Sequence, residues 1–120
     1  MKERRKYVRI NIPLEVSYGL QGKQGVYYKS VTKNISANGA RFCIEEELPK
    51  GTVLDIAIKI PTKPQPIPIK ARIVWTKKQS EQGKDVYDSG FEIVEIDESC
   101  KSEFFQYLCT LMYDQLKKIG

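Results

Sequence analysis

Leu54-Asp55-Ile56-Ala57-Ile58-Lys59-Ile60 decides the fold, because a bulky apolar side chain recurs at every second position along it. A period of two predicts a β-strand with one buried face and one face toward water, as in antiparallel sheets. Similar patterns elsewhere in the chain predict five more strands. These are Ile10–Tyr18, Val26–Lys33, Ala40–Ile44, Ile67–Trp75 and Phe91–Ile93.

Turn-forming residues separate the six predicted strands. They lie in the glycine-rich loop 19–25, at Pro49-Lys50-Gly51, in the four-proline segment 61–68 and at Gln82-Gly83. Short antiparallel strands that each bury one face can remove their exposed edges by closing into a barrel. We therefore predict a mainly β fold, a six-stranded antiparallel β-barrel over residues 10–97, with residues 1–10 as a basic arm in front of it.

Residues 98–119 predict one amphipathic α-helix that completes a single 120-residue domain. Ser99 is the expected N-cap, and two lysines near the end favour the helix dipole. Three aromatic residues, Phe105, Tyr107 and Tyr113, lie off the apolar stripe. They either pack on the barrel or form a contact surface for a second protein. The stripe itself consists of Phe104, Leu108, Leu111, Met112, Gln115 and Ile119.

Composition excludes several classes of protein. The chain contains no histidine, which excludes histidine-ligated metals and histidine-based general-base catalysis. Its three cysteines, Cys43, Cys100 and Cys109, form no C-x-x-C pair and are expected to be buried or incidental thiols. No apolar run is long enough for a membrane span, and no secretory signal is recognisable, so the expected location is the cytoplasm.

The net charge of +5 is concentrated at the N-terminus. Residues 1–9 carry five basic groups and one acidic group, or +4, which leaves +1 for the other 111 residues. This distribution suits the capture of a small anion better than a long nucleic-acid track, which requires a basic stripe along a surface. A small-barrel nucleic-acid module is therefore the less favoured alternative.

Two short motifs carry the chemistry. Arg5 and Arg9 form an R-x-x-x-R with Arg4 in front, and residues 34–39 read N-x-S-x-x-G. A guanidinium fork matches the adjacent O6 and N7 acceptors of guanine, and it also binds phosphate through charge-assisted hydrogen bonds. Taken alone, the arginines could be a solvated basic tail and residues 34–39 a plain turn.

Together, in this order and within this strand pattern, the motifs resemble the PilZ domain, a bacterial receptor module for cyclic di-GMP. The resemblance implies a split-barrel fold and a nucleotide site on the outer barrel surface, covered by the N-terminal arm. It implies that Arg4, Arg5 and Arg9 bind the nucleotide, and that an arginine at position 4 favours a stacked pair of ligands.

Asn34, Ser36 and Gly39 complete the site that the resemblance implies. Asn34 would accept a hydrogen bond from a guanine edge, less strongly than the aspartate that the family often has there. Ser36 would bind a phosphate or order the turn, and Gly39 would allow a close backbone approach or a positive φ. Arg41 and Trp75 are further candidates, although the alternation places Trp75 with the core residues, so core packing remains its alternative.

The acidic residues do not predict an enzyme. Asp85, Asp88, Glu92 and Glu95 alternate with apolar positions and are expected on an outer face, and no phosphate loop, nucleophile elbow or metal cluster is recognisable. We therefore expect a receptor without catalytic or metal-binding residues and without a cofactor. Ligand binding would order the arm and signal to a partner protein, with no membrane insertion. A ligand-free adaptor acting through its C-terminal helix is the other alternative.

Overall fold

The computed structural model, which describes residues 8–22 and 27–119, contains a closed six-stranded antiparallel barrel followed by a C-terminal helix. This confirms the predicted fold class. Arg4 and Arg5, together with the rest of segment 1–7, lie outside the described residues. The strands are β1 (Glu15–Leu20), β2 (Tyr28–Ile35), β3 (Gly39–Ile44), β4 (Val53–Ile58), β5 (Ile67–Glu81) and β6 (Lys84–Ile96).

The strands follow one another around the barrel in the order β1-β2-β3-β6-β5-β4, and β4 pairs with β1 to close the ring. Two strands separate β3 from β4 in either direction, so these two strands lie on opposite sides of the barrel. Alternate side chains from every strand fill the interior, as the period of two predicts. The buried apolar residues include Val16, Ile35, Phe42, Leu54, Ile56, Ile58, Ile73 and Phe91.

The first and last strands differ from the sequence-based prediction. Regular pairing in β1 begins at Glu15 and continues to Leu20, so part of the expected glycine-rich loop is strand. Ile10 instead forms a single antiparallel bridge with Ile35. The hairpin of β5 and β6 extends well beyond the apolar pattern, up to the predicted Gln82-Gly83 turn, where both residues have positive φ values of 52° and 77°.

The C-terminal segment begins with a 3-10 helix (Glu98–Cys100), and α1 follows it (Lys101–Ile119). The expectation that Ser99 caps the helix is wrong, because Ser99 lies inside the 3-10 turn and donates a hydrogen bond to the Asp97 carboxylate. The first half of α1 packs on the barrel core through Phe104, Tyr107 and Leu108, with Phe105 partly buried beside them. Tyr113 and Leu116, farther along α1, are exposed.

Candidate functional site

Two β-bulges determine which side chains reach the outer surface of the barrel at the motif residues. Thr32 pairs with Phe42, but Asn34 pairs with Arg41, so one extra residue, Lys33, is accommodated in β2. Because an extra residue reverses the alternation, Asn34 joins the outer row although Thr32, two positions earlier, faces inward. A second bulge, between Ile73 and Trp75, has the same effect on β5.

Trp75 therefore does not pack in the core as the alternation suggested. It pairs with Gly90 on the outer face, and 39% of its surface is exposed. Its indole ring lies on Gly90, where a Cβ atom would overlap the ring directly. The Arg41 guanidinium lies 5.6 Å from the centre of the same ring, within the range of a cation–π interaction.

The end of the N-terminal arm is attached beside Asn34. Ile10 and Ile35 exchange two backbone hydrogen bonds, of 2.8 and 2.9 Å. This bridge holds Arg9 next to the end of β2, where its Nη1 donates a hydrogen bond of 3.2 Å to Oδ1 of Asn34. Asn34 is consequently 91% buried, with an exposed fraction of only 9%, although it belongs to the outer row. Arg9 of the first motif and Asn34 of the second motif thus meet at one place on the barrel.

The segment from Ser36 to Gly39 is a tight turn that its own side chains stabilise. The Ser36 amide donates to the Gly39 carbonyl at 2.8 Å, and its hydroxyl donates to Oδ1 of Asn38 at 2.9 Å. The Asn38 carbonyl accepts a 2.8 Å hydrogen bond from the amide of Ile93, which ties the turn to β6. Of the two roles predicted for Ser36, the structure shows the ordering of the turn.

Gly39 is required because two strands approach closely. It pairs with Glu92 of β6, and an added Cβ would lie 2.7 Å from the backbone carbonyl oxygen of Phe91. Gly39 has no positive φ, unlike Gly83 in the hairpin turn. Of the two reasons expected for a glycine here, the structure therefore supports a close approach of the backbone, in this case to the neighbouring strand β6.

Arg41 is held by a carboxylate that the sequence did not connect to it. Its Nε lies 3.0 Å from Oδ1 and its Nη2 lies 2.5 Å from Oδ2 of Asp88, a two-pronged ion pair. Lys33, at the bulge, lies 3.5 Å from the same Oδ2. Asp88 is on the outer face, as predicted, but it is not solvated, since these two cations cover it and leave only 1% of it exposed.

The ion pair fixes the charge states of both groups. Hydrogen bonds from Arg41 hold the pKa of the Asp88 carboxyl below its usual range, and burial opposes this shift without reversing it. The hydrogen bond to Asp88 likewise raises the pKa of the Arg41 guanidinium. The group of Lys33, Arg41 and Asp88 therefore carries one net positive charge near neutral pH.

Sequence reasoning missed Lys33, Asp88 and Gly90 as parts of this region. Lys33 adjoins the N-x-S-x-x-G motif, but nothing in a single sequence indicates that it is the bulged residue. Asp88 is 47 residues from Arg41 along the chain, and only the pairing of β3 with β6 brings them together. The one available signal was Ser89-Gly90, a glycine within a strand pattern, which often indicates a bulge or a close approach.

Within the described part of the chain, no group of three or more histidine, cysteine, aspartate or glutamate side chains is arranged to hold a metal ion. The same residues include no helix that is both long and apolar enough to cross a membrane.

Comparison with known protein families identifies the family of this chain. The family model for the PilZ domain matches residues 3–108, which is most of the chain and includes both motifs. The chain belongs to the PilZ domain family. PilZ domains are ligand-binding receptor domains rather than enzymes. None of the curated proteins compared with the chain matches it.

Solved structures of other PilZ proteins share the fold. The PilZ domain of YcgR from Escherichia coli, with c-di-GMP, is 14% identical with a TM-score of 0.70, and the match covers 98% of each chain. The inhibitor of motility MotI/DgrA from Bacillus subtilis is 21% identical with a TM-score of 0.71, over 98% of this chain and 54% of that one. The MrkH–c-di-GMP complex from K. pneumonia is 14% identical with a TM-score of 0.71, over 98% and 56%. This PilZ chain thus spans about half the length of MotI/DgrA and MrkH.

Proposed function

We propose that this PilZ domain binds cyclic di-GMP on the outer face of the barrel, at the junction of the arm with β2 and β3. The observation that carries the proposal is the 3.2 Å hydrogen bond between Arg9 and Asn34, residues 25 positions apart. It brings together a cation and an amide that can serve a single anionic, guanine-bearing ligand. Arg4, Arg5, Ser36 and Gly39 complete the proposed site, and Arg41 and Trp75 lie in the same outer row.

The chemistry of the ligand suits these groups. Oδ1 of Asn34 can accept a hydrogen bond from N1–H or the exocyclic amine of a guanine. In the free domain this acceptor is engaged by Arg9, so the ligand replaces one partner of Asn34 rather than filling an unsatisfied group. Nη1 of Arg9, no longer donating to Asn34, can then bind a phosphodiester or the O6/N7 edge of the base.

The structural relatives support the choice of ligand. Solved structures that share this fold include the YcgR PilZ domain with c-di-GMP and the MrkH–c-di-GMP complex. Arg9 of the first motif contacts Asn34 of the second motif, although the two residues are 25 positions apart in the chain. A shared ligand is the simplest reason for their meeting.

We further propose that the ligand orders the arm and so signals to a partner protein in the cytoplasm. Residues 1–9 carry a net charge of +4, and fixing them over the nucleotide would neutralise mutual repulsion. Arm and ligand would then form a surface that is absent from the free protein. This is an order–disorder switch, in which a ligand stabilises one of two states of a segment. A stacked pair of nucleotides, favoured by Arg4, would enlarge that surface.

Calorimetric titration with cyclic di-GMP tests the site. We expect wild-type protein to bind, and Arg9→Ala to bind about 10- to 100-fold more weakly, because a hydrogen bond to a charged group is lost. Lys59→Ala is the matched control, since it also removes one positive charge but lies just beyond β4, the strand opposite β3 in the barrel. Equal loss in both variants would show that only net charge matters, and the proposed site would be wrong.

Hydrogen exchange tests the switch separately. Peptides covering residues 1–9 should exchange more slowly at saturating cyclic di-GMP, whereas peptides covering β4 should not change. Binding without any slowing in the arm would refute the ordering mechanism but not the site. If no cyclic di-GMP binds, and single-stranded oligonucleotides bind with a steep salt dependence, the chain is a nucleic-acid module instead.

A further inference from the structure

The outer row of the barrel continues beyond the two motifs. Asn34 pairs with Arg41, Arg41 pairs with Gly90, and Gly90 pairs with Trp75, so one continuous row crosses β2, β3, β6 and β5. Adjacent strands are about 4.8 Å apart, which places Trp75 about 14 Å from Asn34 along this row. Arg41 stands between them, next to the place where a guanine would meet Asn34.

Two neighbours, Asp88 and Trp75, fix the orientation of the Arg41 guanidinium. Asp88 takes the Nε and Nη2 edge of the guanidinium, and Nη1 is not part of that pair. The Trp75 ring borders the guanidinium on one side at 5.6 Å. A bidentate pair with a nearly fully buried carboxylate restricts a long side chain that would otherwise sample many rotamers.

We propose that Asp88 is a positioning residue that presents Nη1 of Arg41 to an anionic oxygen of the bound nucleotide. Arg41 thereby acts as a ligand-binding arginine on the rigid barrel, in addition to those on the arm. The inference rests on the proposed cyclic di-GMP site and extends it to residues outside both motifs. Lys33 shares the Asp88 carboxylate, so the group keeps one net positive charge toward the ligand.

Whether Asp88→Asn weakens or strengthens ligand binding separates positioning of Arg41 from a simple effect of net charge. Asp88→Asn keeps the shape of the side chain but removes its negative charge. If Asp88 acted only through net charge, this substitution would increase the positive potential and strengthen the binding of an anion. If Asp88 positions Arg41, the substitution weakens binding, by about tenfold, because the guanidinium loses its fixed orientation. Calorimetric titration with cyclic di-GMP measures the difference.

A double-mutant cycle tests whether Asp88 acts through Arg41. Arg41→Ala should weaken binding about 10- to 100-fold, and Arg41→Ala combined with Asp88→Asn should be no weaker than Arg41→Ala alone. Additive losses would mean a general structural effect of Asp88 and would overturn the proposal. Arg41→Lys keeps the charge but not the two-pronged geometry, so it should resemble Arg41→Ala and not the wild type.

Far-UV circular dichroism and thermal unfolding of each unliganded variant provide the check on folding. Trp75 emission is not suitable, because the Arg41 guanidinium lies against the Trp75 ring and its removal alters the emission directly. If Asp88→Asn does not fold, the comparison of Arg41→Lys with Arg41→Ala still decides. Wild-type affinity in Arg41→Lys would then refute positioning by Asp88.

The failure of this inference is distinguishable from the failure of the proposed function. If wild-type protein does not bind cyclic di-GMP, the proposed function is wrong. If the wild type binds and Arg9→Ala does not, but both Arg41 variants bind normally, the ligand site stands and only the role of Arg41 and Asp88 is refuted.

Discussion

Two glycines of the site should differ in how much stability the same small substitution costs. Gly39 of the motif and Gly90 of the outer row both leave no room for a Cβ atom, but for different reasons. At Gly39 the obstacle is the backbone carbonyl of Phe91 on the neighbouring strand. At Gly90 the obstacle is the ring of Trp75, a side chain with more than a third of its surface exposed. Backbone must move in the first case, and only a side chain in the second.

The geometry gives the size of each effect. In Gly39→Ala, the Cβ–oxygen distance of 2.7 Å falls 0.7 Å short of the 3.4 Å at which ordinary contact begins, since 3.4 minus 2.7 is 0.7. Overpacking of this kind lowers the free energy of unfolding by about 1–3 kcal/mol. Alanine also restricts the unfolded chain more than glycine does, which offsets about 0.4–1 kcal/mol of that loss. The expected net loss of about 1–2 kcal/mol corresponds to a decrease in Tm of about 3–12 °C for a domain of this size.

In Gly90→Ala, the Trp75 ring can turn into solvent. The loss of its contact with Arg41 costs about 0.5–1 kcal/mol, which the unfolded-state effect of similar size offsets. The free energy of unfolding should therefore change by less than about 1 kcal/mol, while Trp75 emission shifts to the red. Thermal unfolding followed by circular dichroism and by fluorescence measures both quantities. A Gly39→Ala protein as stable as the wild type, or a Gly90→Ala protein that loses more stability than Gly39→Ala, would refute this reasoning.

Two further predictions concern the dependence of stability on pH. Asp88→Asn should lower the free energy of unfolding by about 2–3 kcal/mol at pH 7, because Arg41 and Lys33 lose their common counter-charge. The folded-state pKa of Asp88 is lowered, so the stabilisation by the Asp88 carboxylate is present above its unfolded pKa near 4 and is lost as pH falls through its folded pKa. The difference in free energy of unfolding between Asp88→Asn and the wild type, measured in urea, should therefore shrink toward about pH 3. A difference that does not change with pH would contradict the ion pair. Tyr18→Phe should cost about 1–2 kcal/mol at pH 7, because the Glu45 amide, 2.9 Å from the Tyr18 hydroxyl, loses its acceptor. Burial raises the pKa of Tyr18 to about 12, so the free energy of unfolding of the wild type should fall as pH rises from about 10 to 12. If Tyr18→Phe loses the same stability over this range, ionisation of Tyr18 is not the cause of the fall.

The sequence predicted the barrel well because its evidence is local. The alternation in Leu54–Ile60 requires only that one face of a strand be buried, and every inward residue of that stretch is buried in the structure. The Gln82-Gly83 turn was equally readable, since a tight hairpin needs residues that tolerate positive φ.

The alternation failed at the candidate site itself. It placed Trp75 with the core, and the bulge between Ile73 and Trp75 places it on the outer face. A bulge adds one residue to one strand, so its position depends on the partner strand and is not visible in a single segment. The pair of Arg41 and Asp88 was unreadable for the same reason, because it exists only once β3 and β6 are aligned.

Side-chain burial at the end of the chain also depended on the whole fold. Phe105, Tyr107 and Tyr113 looked equivalent in sequence, as aromatics beside an apolar stripe. Tyr107 is buried where α1 packs on the barrel core and Phe105 is partly buried there, whereas Tyr113 lies farther along the helix and is exposed. The structure thus shows core packing for Tyr107 and partial burial for Phe105, whereas Tyr113 does not pack in the core.

Backbone amide chemical shifts, recorded during titration with cyclic di-GMP, test the central claim most directly. We expect the largest changes at residues 34–39 and at Arg9, and these changes should saturate with added ligand. Amides of β4, including that of Ala57 on the opposite side of the barrel, should change little. Saturable changes centred on β4, with residues 34–39 unaffected, would show that the nucleotide binds elsewhere and would contradict the proposed site.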